Sequence, residues 1–262
     1  MTDDLLLSVL PHAIIHAEAE APRESCGVIV LTQTGPLYIA CRNIAHDHEH
    51  FMIAGGDYAR AEDTGRVAMI VHSHVYEPPK PSLADLEGIE RTGLPWLIVN
   101  VPTGSHTVTR PSGFKAPLLG RPFVHGVHDC YAIVRDVYAE HGIALRDYPR
   151  AFGWWDDPLG PNLYRDNFAN EGFVPIIAHS PTSDDLKLLQ PLDLLLMNIR
   201  AQRDNHMAVY LGDGVILQHL IGTASRREAY QEFYQRRTTA VLRHRDLMQP
   251  AENDHADSAP VR

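Results

Sequence analysis

Cysteine is scarce: Cys26, Cys41 and Cys130 are the only three in 262 residues. So odd and sparse a set is no disulfide framework, and it suits folding in a reducing compartment. Basic charge is short too, with 23 Lys and Arg against 33 Asp and Glu and a formal charge of −10. That balance argues against a nucleic-acid footprint and against a polybasic membrane surface. Long apolar runs are missing, and nothing approaches the roughly 18 residues of a spanning helix, so no stable membrane insertion is expected. The opening stretch MTDDLLLSVLPHAIIHAEAEAPRE is acidic where a secretory leader is basic, and it holds no uninterrupted apolar core. Internal repeats and low-complexity tracts are absent. What is present is 44% hydrophobic and 21% charged residues, a globular composition, in a chain long enough for two ordinary domains.

Apolar positions at helical spacing (Leu6, Val9, Leu10, Ala13, Ile14, Ala17) predict an amphipathic helix over 3–20, ended by Pro22. Residues 25–31 and 36–41 read as strands around a Thr34-Gly35-Pro36 turn, and 57–65 as a short helix. VAMIVHSH (67–74) reads as a buried strand, Ser82 to Arg91 as a helix opened by a capping-box pattern, and 96–101 and 106–110 as further strands. Residues 111–124 are rich in Pro and Gly and lack periodicity, which places a linker there, between domains at 1–110 and 125–248. The second domain is expected to hold a helix at 129–141, a long loop with Gly153-Trp154-Trp155, and a helix at 162–170. Strands follow at 192–199, 206–212 and 215–220, the last two joined by the hairpin signal Asp213-Gly214. A helical segment at 225–237, a strand at 238–244 and a disordered polar tail at 249–262 close the reading.

Two constellations carry chemistry. The first is His72-Ser73-His74 followed by Ser82-Leu83-Ala84-Asp85. Histidines at i and i+2 on a strand point the same way, so their imidazoles can share a metal. Asp85, in the first turn of the next helix, can supply a third ligand. Two nitrogens and one oxygen leave a tetrahedral position open for water, the mark of a catalytic zinc. Glu24 is the candidate base for that water. The plainer alternatives are a helix N-cap for Ser82, a capping partner for Asp85 and a buried apolar role for Cys26. The His46-Asp47-His48-Glu49-His50 run reads as a polar loop.

The second is Cys130, at the first turn of a helix whose dipole is expected to lower the thiol pKa, with His206 at a strand start as partner base. His125 and His128 read as packing or loop groups. Trp154 and Trp155 line either a groove or the interior of a long loop.

Pro-Arg-Glu-Ser-Cys-Gly at 22–27 with His-Ser-His and Ser-Leu-Ala-Asp resembles the JAMM (MPN-fold) metallopeptidases. The resemblance implies Zn2+ on His72, His74 and Asp85, Glu24 as general base and Ser82 as oxyanion stabiliser. Val75 departs from the proline common after the second histidine. Asp-Cys-Tyr at 129–131 and HMAVYLGDG at 206–214 resemble NlpC-type cell-wall peptidases, implying Cys130 as nucleophile and His206 as base. The family's third residue, usually histidine, falls twelve positions after the base, where this chain departs from the pattern with Gln218. A strict two-residue hairpin would instead put His219 on the face of His206, and a bulge would restore Gln218. The implied fold is α/β and α+β: an MPN-type mixed sheet with flanking helices, then a papain-like NlpC domain.

The succession of the two, with PSLADLEGIERTGLPWLIVN and FVHGVHDCYAIVRDVY, resembles the tail-assembly family of lambda-like phages. It implies other tail-tip proteins as partners, peptidoglycan stem peptides as substrate, and a place in the host cytoplasm during assembly. At entry it implies the virion tail tip, on the periplasmic or cell-wall side. The rival readings are a structural assembly factor with vestigial sites, and a ubiquitin-type deconjugase that would leave the second half unexplained.

Overall fold

The computed structural model describes residues 7–157 and 159–248. The expected tail at 249–262 and the first residues of the 3–20 helix, Leu6 included, lie outside them. The chain divides into two compact units, Met1–Pro117 and Leu118–Arg262, each built on one sheet with flanking helices. No described helix is long and apolar enough to cross a membrane.

The first unit runs α1 (Leu10–Glu20), β1 (Cys26–Thr32), β2 (Gly35–Cys41), α2 (Gly55–Thr64), β3 (Arg66–His74), α3 (Leu83–Thr92), β4 (Trp96–Asn100) and β5 (His106–Thr109). Its sheet has the order β2-β1-β3-β4-β5, with only the β3–β4 pair parallel. That parallel pair requires a crossover, which α3 supplies. Strand alternation sorts β3 between two cores. Met69 and Val71 pack with Val9 and Ala13 toward α1, while Ile70 packs with Ala61 and Ile89 toward α2 and α3. His72 and His74 share the parity of Ile70, so both face α3. The helix lies close because Gly88 has no side chain: a Cβ there would stand 2.3 Å from the Trp96 ring.

The second unit runs α4 (Cys130–Glu140), α5 (Leu163–Phe168), β6 (Phe173–Ile177), β7 (Leu194–Met197), β8 (His206–Gly212), β9 (Val215–Gln218), β10 (Arg226–Ala229), α6 (Glu232–Gln235) and β11 (Thr238–His244). Its strands form one antiparallel sheet ordered β10-β9-β8-β7-β11-β6. Ile133, Val134, Val137 and Tyr138 of α4 pack on Leu194, Leu196, Met207 and Val209 of one sheet face.

Two sequence expectations are corrected here. The segment 225–237 is not one helix: Arg226–Ala229 is an edge strand and only Glu232–Gln235 is helical. Arg, Glu and Ala favour helix locally, but the open edge of β9 takes up the backbone groups of this stretch (Arg226 opposite Gln218, Glu228 opposite Ile216) and outweighs that preference. Strand β6 went unforeseen because Pro175 sits in it; as the last strand of the sheet it tolerates a residue without an N–H.

The β8–β9 hairpin does turn on Asp213 and Gly214, both at positive φ (50° and 71°), as a two-residue turn matched to strand twist requires. Between Tyr210 and Gly212 the register shifts, so β8 carries an extra residue and Ala208 stands opposite Gln218 rather than His219.

Candidate active sites

In the first unit Glu24, His72, His74 and Asp85 converge, all less than a tenth exposed. The two Nε2 atoms are 3.2 Å apart. Asp85 presents Oδ1 at 3.4 Å from His72 Nε2 and Oδ2 at 3.5 Å from His74 Nε2, and Glu24 Oε1 lies 3.9 Å from the latter. Donor atoms of Glu24, His72 and His74 all fall within 4.8 Å of one another.

Local structure explains the convergence. Ser25 N–H donates to Ser73 Oγ (2.8 Å), and Ser73 N–H donates to the Ser25 carbonyl (3.1 Å), so residue 24 is tied beside the His-Ser-His strand. Asn43 donates to the Glu24 carbonyl (2.8 Å), and the Glu24 N–H reaches the His48 carbonyl (3.1 Å). The 46–50 run therefore braces Glu24 from behind, with His50 and Asp47 paired to each other at 2.9 Å. His74 Nδ1 donates to the Pro78 carbonyl (2.7 Å), which leaves its Nε2 as a lone pair facing the cluster. His72 is held differently: its ring stacks on Phe51 (4.5 Å) and meets Trp96 edge-on (5.6 Å), and its Nδ1 has no hydrogen-bond partner.

Ser82 is the N-cap of α3, accepting from Asp85 N–H (3.1 Å), while Asp85 Oδ2 accepts from Ser82 N–H (2.8 Å). The capping role is thus real, and it leaves Asp85 Oδ1 and the Ser82 hydroxyl proton available. Cys26 stays in the core, its thiol against the Cys41 carbonyl.

Burial first, then the neighbouring Asp85, pushes Glu24 up to about 9. Burial acts on Asp85 in the same sense, but His72 and His74 beside it hold its carboxyl far below the usual range. His74 is raised: burial opposes its charge, and the Asp85 carboxylate and Pro78 carbonyl outweigh that. Two imidazole nitrogens turned toward each other with carboxylate oxygens alongside form a donor set that fits a zinc-like cation. The unpartnered His72 Nδ1 is the one position that lacks the usual outer hydrogen bond.

In the second unit Cys130 opens α4, capped by Asp129, whose carboxylate accepts from Tyr131 and Ala132 N–H (3.1 and 2.9 Å). Asp129 is fixed by Arg150, with Nε 3.0 Å from Oδ2 and both side chains 2% exposed. The Cys130 sulfur lies 3.4 Å from the Tyr164 hydroxyl and 4.0 Å from the Asn205 carbonyl. It also meets the Met207 N–H. The sulfur therefore sits against the backbone on both sides of His206, although no hydrogen bond joins thiol and imidazole among the described residues.

His206 Nε2 is 2.8 Å from Gln218 Oε1. The extra residue in β8 puts Gln218 on the face of His206, while His219 turns to Phe123 (5.2 Å) with neither ring nitrogen hydrogen-bonded to a side chain. The expectation of a lowered thiol pKa is overturned: burial, then Asp129, pushes Cys130 up to about 12. Enclosure outweighs the helix dipole. Burial likewise brings His206 down to about 4. At neutral pH the pair is an uncharged thiol and an uncharged imidazole.

Trp154 is buried against Tyr164 (4.9 Å), whereas Trp155 packs with Phe152 (5.3 Å), itself 45% exposed. His128 is buried without a side-chain partner for either nitrogen, and His125 meets the Arg150 carbonyl (3.0 Å). Sequence reading missed Tyr164, which lies 34 residues from Cys130, and Glu228, which was assigned to a helix.

Residues 7–110 match the family of prokaryotic homologs of the JAB domain, and residues 120–243 match the NlpC/P60 family. The chain is 38% identical over 234 residues to the tail tip assembly protein K of Escherichia phage N15, covering 88% of this chain and 92% of that one. To the tail tip assembly protein K of Escherichia phage lambda it is 37% identical over 189 residues, covering 72% and 87%. An NlpC/P60-family protein of Staphylococcus aureus superposes with a TM-score of 0.34 at 17% identity, over 48% of this chain and 37% of that one.

Proposed function

From a chain that belongs to the tail tip assembly protein K family, carrying a JAB domain and then an NlpC/P60 domain, we propose a tail-tip protein with two peptidase sites. The second domain is a cysteine peptidase that cuts amide bonds in peptidoglycan stem peptides. The observation behind it is the His206–Gln218 hydrogen bond at 2.8 Å beside a cysteine at a helix N-terminus. Because thiol and imidazole rest uncharged, His206 acts as a general base at the moment of attack rather than within a standing ion pair. Cys130 Sγ bonds to the amide carbonyl carbon as its proton passes to His206. That proton then goes to the leaving amine as the C–N bond breaks. Water, deprotonated by His206, releases the acid and restores the thiol. In the test, purified protein is incubated with peptidoglycan: new peptide termini appear, and Cys130→Ala lowers their rate by about a thousandfold or more. Equal rates for the two proteins would overturn the assignment.

In the first domain His72, His74 and Asp85 would hold zinc, for hydrolysis of an amide or isopeptide bond. When bound there, the metal supplies Lewis acidity toward water and a substrate carbonyl. Glu24 takes and returns a proton beside it, and the Ser82 hydroxyl donates to the developing oxyanion. Zinc at one equivalent should survive dialysis and vanish in His72→Ala/His74→Ala, as measured by elemental analysis. Metal-free native protein of unchanged stability would exclude this role.

A non-catalytic assembly role is favoured by one observation: among the described residues the enclosed Cys130 sulfur contacts the Tyr164 hydroxyl and the Asn205 carbonyl, and no hydrogen bond joins it to His206. Particles carrying Cys130→Ala separate the readings. A structural role leaves them infectious, while a wall-cutting role makes them defective at entry but not in assembly. Binding to other tail-tip proteins belongs to either reading.

A further inference from the structure

Behind Gln218 stands a group that the Cys–His pair does not touch. Gln218 Nε2 donates to Glu228 Oε2 at 2.7 Å. The same carboxylate oxygen accepts from Arg226 Nε (3.1 Å) and from the Tyr234 hydroxyl (2.9 Å). The contact is a product of strand pairing: Arg226 lies directly opposite Gln218, which makes Glu228 its diagonal neighbour on the same sheet face. Gln218 is 1% exposed, so its amide has no water with which to satisfy itself in another orientation.

An amide has an accepting face and a donating face that differ little in shape, and a histidine ring can accommodate either. If Gln218 turned its NH2 toward His206, the ring would have to accept at Nε2 and carry its proton on Nδ1. A carboxylate has only lone pairs to offer, so the face toward Glu228 must be the NH2 and the face toward His206 must be the carbonyl. The ring then carries its proton on Nε2, and Nδ1 is the nitrogen left with a lone pair.

We propose that Glu228 is a positioning residue that, through the Gln218 amide, fixes His206 in the Nε2–H tautomer and so keeps Nδ1 free to receive a proton. It touches neither substrate nor sulfur. This inference rests on the reading of Cys130 and His206 as a peptidase pair.

The test uses the full chain and two readouts: the ring-nitrogen NMR shifts of His206, and the rate of Cys130 alkylation by iodoacetamide at neutral pH. Peptide mapping separates Cys130 from Cys26 and Cys41. The native protein should show a single Nε2–H tautomer. Glu228→Ala should show mixed tautomers and alkylation slowed about tenfold, the order expected for one charge-assisted hydrogen bond. Adding Gln218→Glu to that variant should restore the single tautomer and the rate, because a carboxylate has no donating face to turn inward. A merely structural role for Glu228 would not be rescued this way. Should Glu228→Ala fail to fold, Glu228→Gln keeps the size and lets the amide pair face either way, with the same mixture expected. A single Nε2–H tautomer with native alkylation in a folded Glu228 variant overturns the proposal. If His206→Ala alkylates at the native rate, the peptidase reading fails, and the tautomer result still decides the role of Glu228.

Discussion

The two units bury comparable numbers of polar side chains at their sites and settle them in opposite ways. In the first, carboxylates and imidazoles crowd together and their protons are redistributed: Asp85 is held deprotonated while Glu24 is pushed up to about 9. In the second, Cys130 is pushed up to about 12 and His206 down to about 4, and the pair stays neutral. The first arrangement is a set of imidazole nitrogens and carboxyl oxygens meeting at one point. The second is a proton donor and acceptor kept uncharged by enclosure, with the real ion pair, Asp129–Arg150, set one residue away at the helix cap. Charge at a buried site is thus tolerated where partners converge and suppressed where they do not.

The sharpest way to break that contrast is to unpair the buried charge. Arg150→Met leaves Asp129 enclosed without its guanidinium and should cost the second unit roughly 3–5 kcal/mol, leaving the first unaffected. Urea titration, with hydrogen exchange on the full chain assigning each transition to its unit, reads this out. Equal loss in both units would show that they do not respond separately.

Acidification from pH 7.5 to 5 tests the neutral pair. His206 and His128 are both depressed to about 4 in the folded chain, so the unfolded chain binds more protons between that value and the ordinary 6.5. The second unit should therefore lose about 2 kcal/mol per histidine over this range. Glu24 works in the other direction. Folded, it keeps its proton up to about 9, so the metal-free first unit should gain stability as pH falls toward the usual carboxylate range. Transitions that move in the same direction in both units would contradict the assignment of protons made above.

Gly88→Ala has the smallest expected effect. The added methyl meets the Trp96 ring and should destabilise the first unit by roughly 1–3 kcal/mol. As Asp85 lies one turn before Gly88 on the same helix, zinc affinity should fall along with stability. A stability loss with unchanged zinc retention would show that Asp85 is placed by its cap alone.

The parts of these sites that were legible in the sequence are those written in local pattern. The parity of a strand puts His72 and His74 side by side, Ser82 and Asp85 spell a helix start, and Asp129-Cys130 announces a capped helix. The long-range parts were not legible. Pro175 concealed an edge strand, and helix-favouring residues concealed β10 and with it Glu228. Tyr164 reaches the sulfur from a helix whose sequence says nothing of cysteine. The suppression of the thiol's charge depends on how completely the α4 N-terminus is covered, which no motif encodes. The choice between Gln218 and His219 was open for a definite reason, since it turns on the residue count of one hairpin.

That count sits at Leu211, the residue β8 carries in excess of β9. Pairing beyond it runs out of step by one, and every side chain of β9 shows the face its neighbour would otherwise show. A chain one codon shorter at this point would offer His206 an imidazole in place of an amide and would turn Gln218 away from the face that carries His206. Two orienting chemistries are therefore stored in adjacent positions of the same strand, separated by a single deletion, and a Leu211-deleted protein would show by its ring-nitrogen shifts whether His219 takes over the contact.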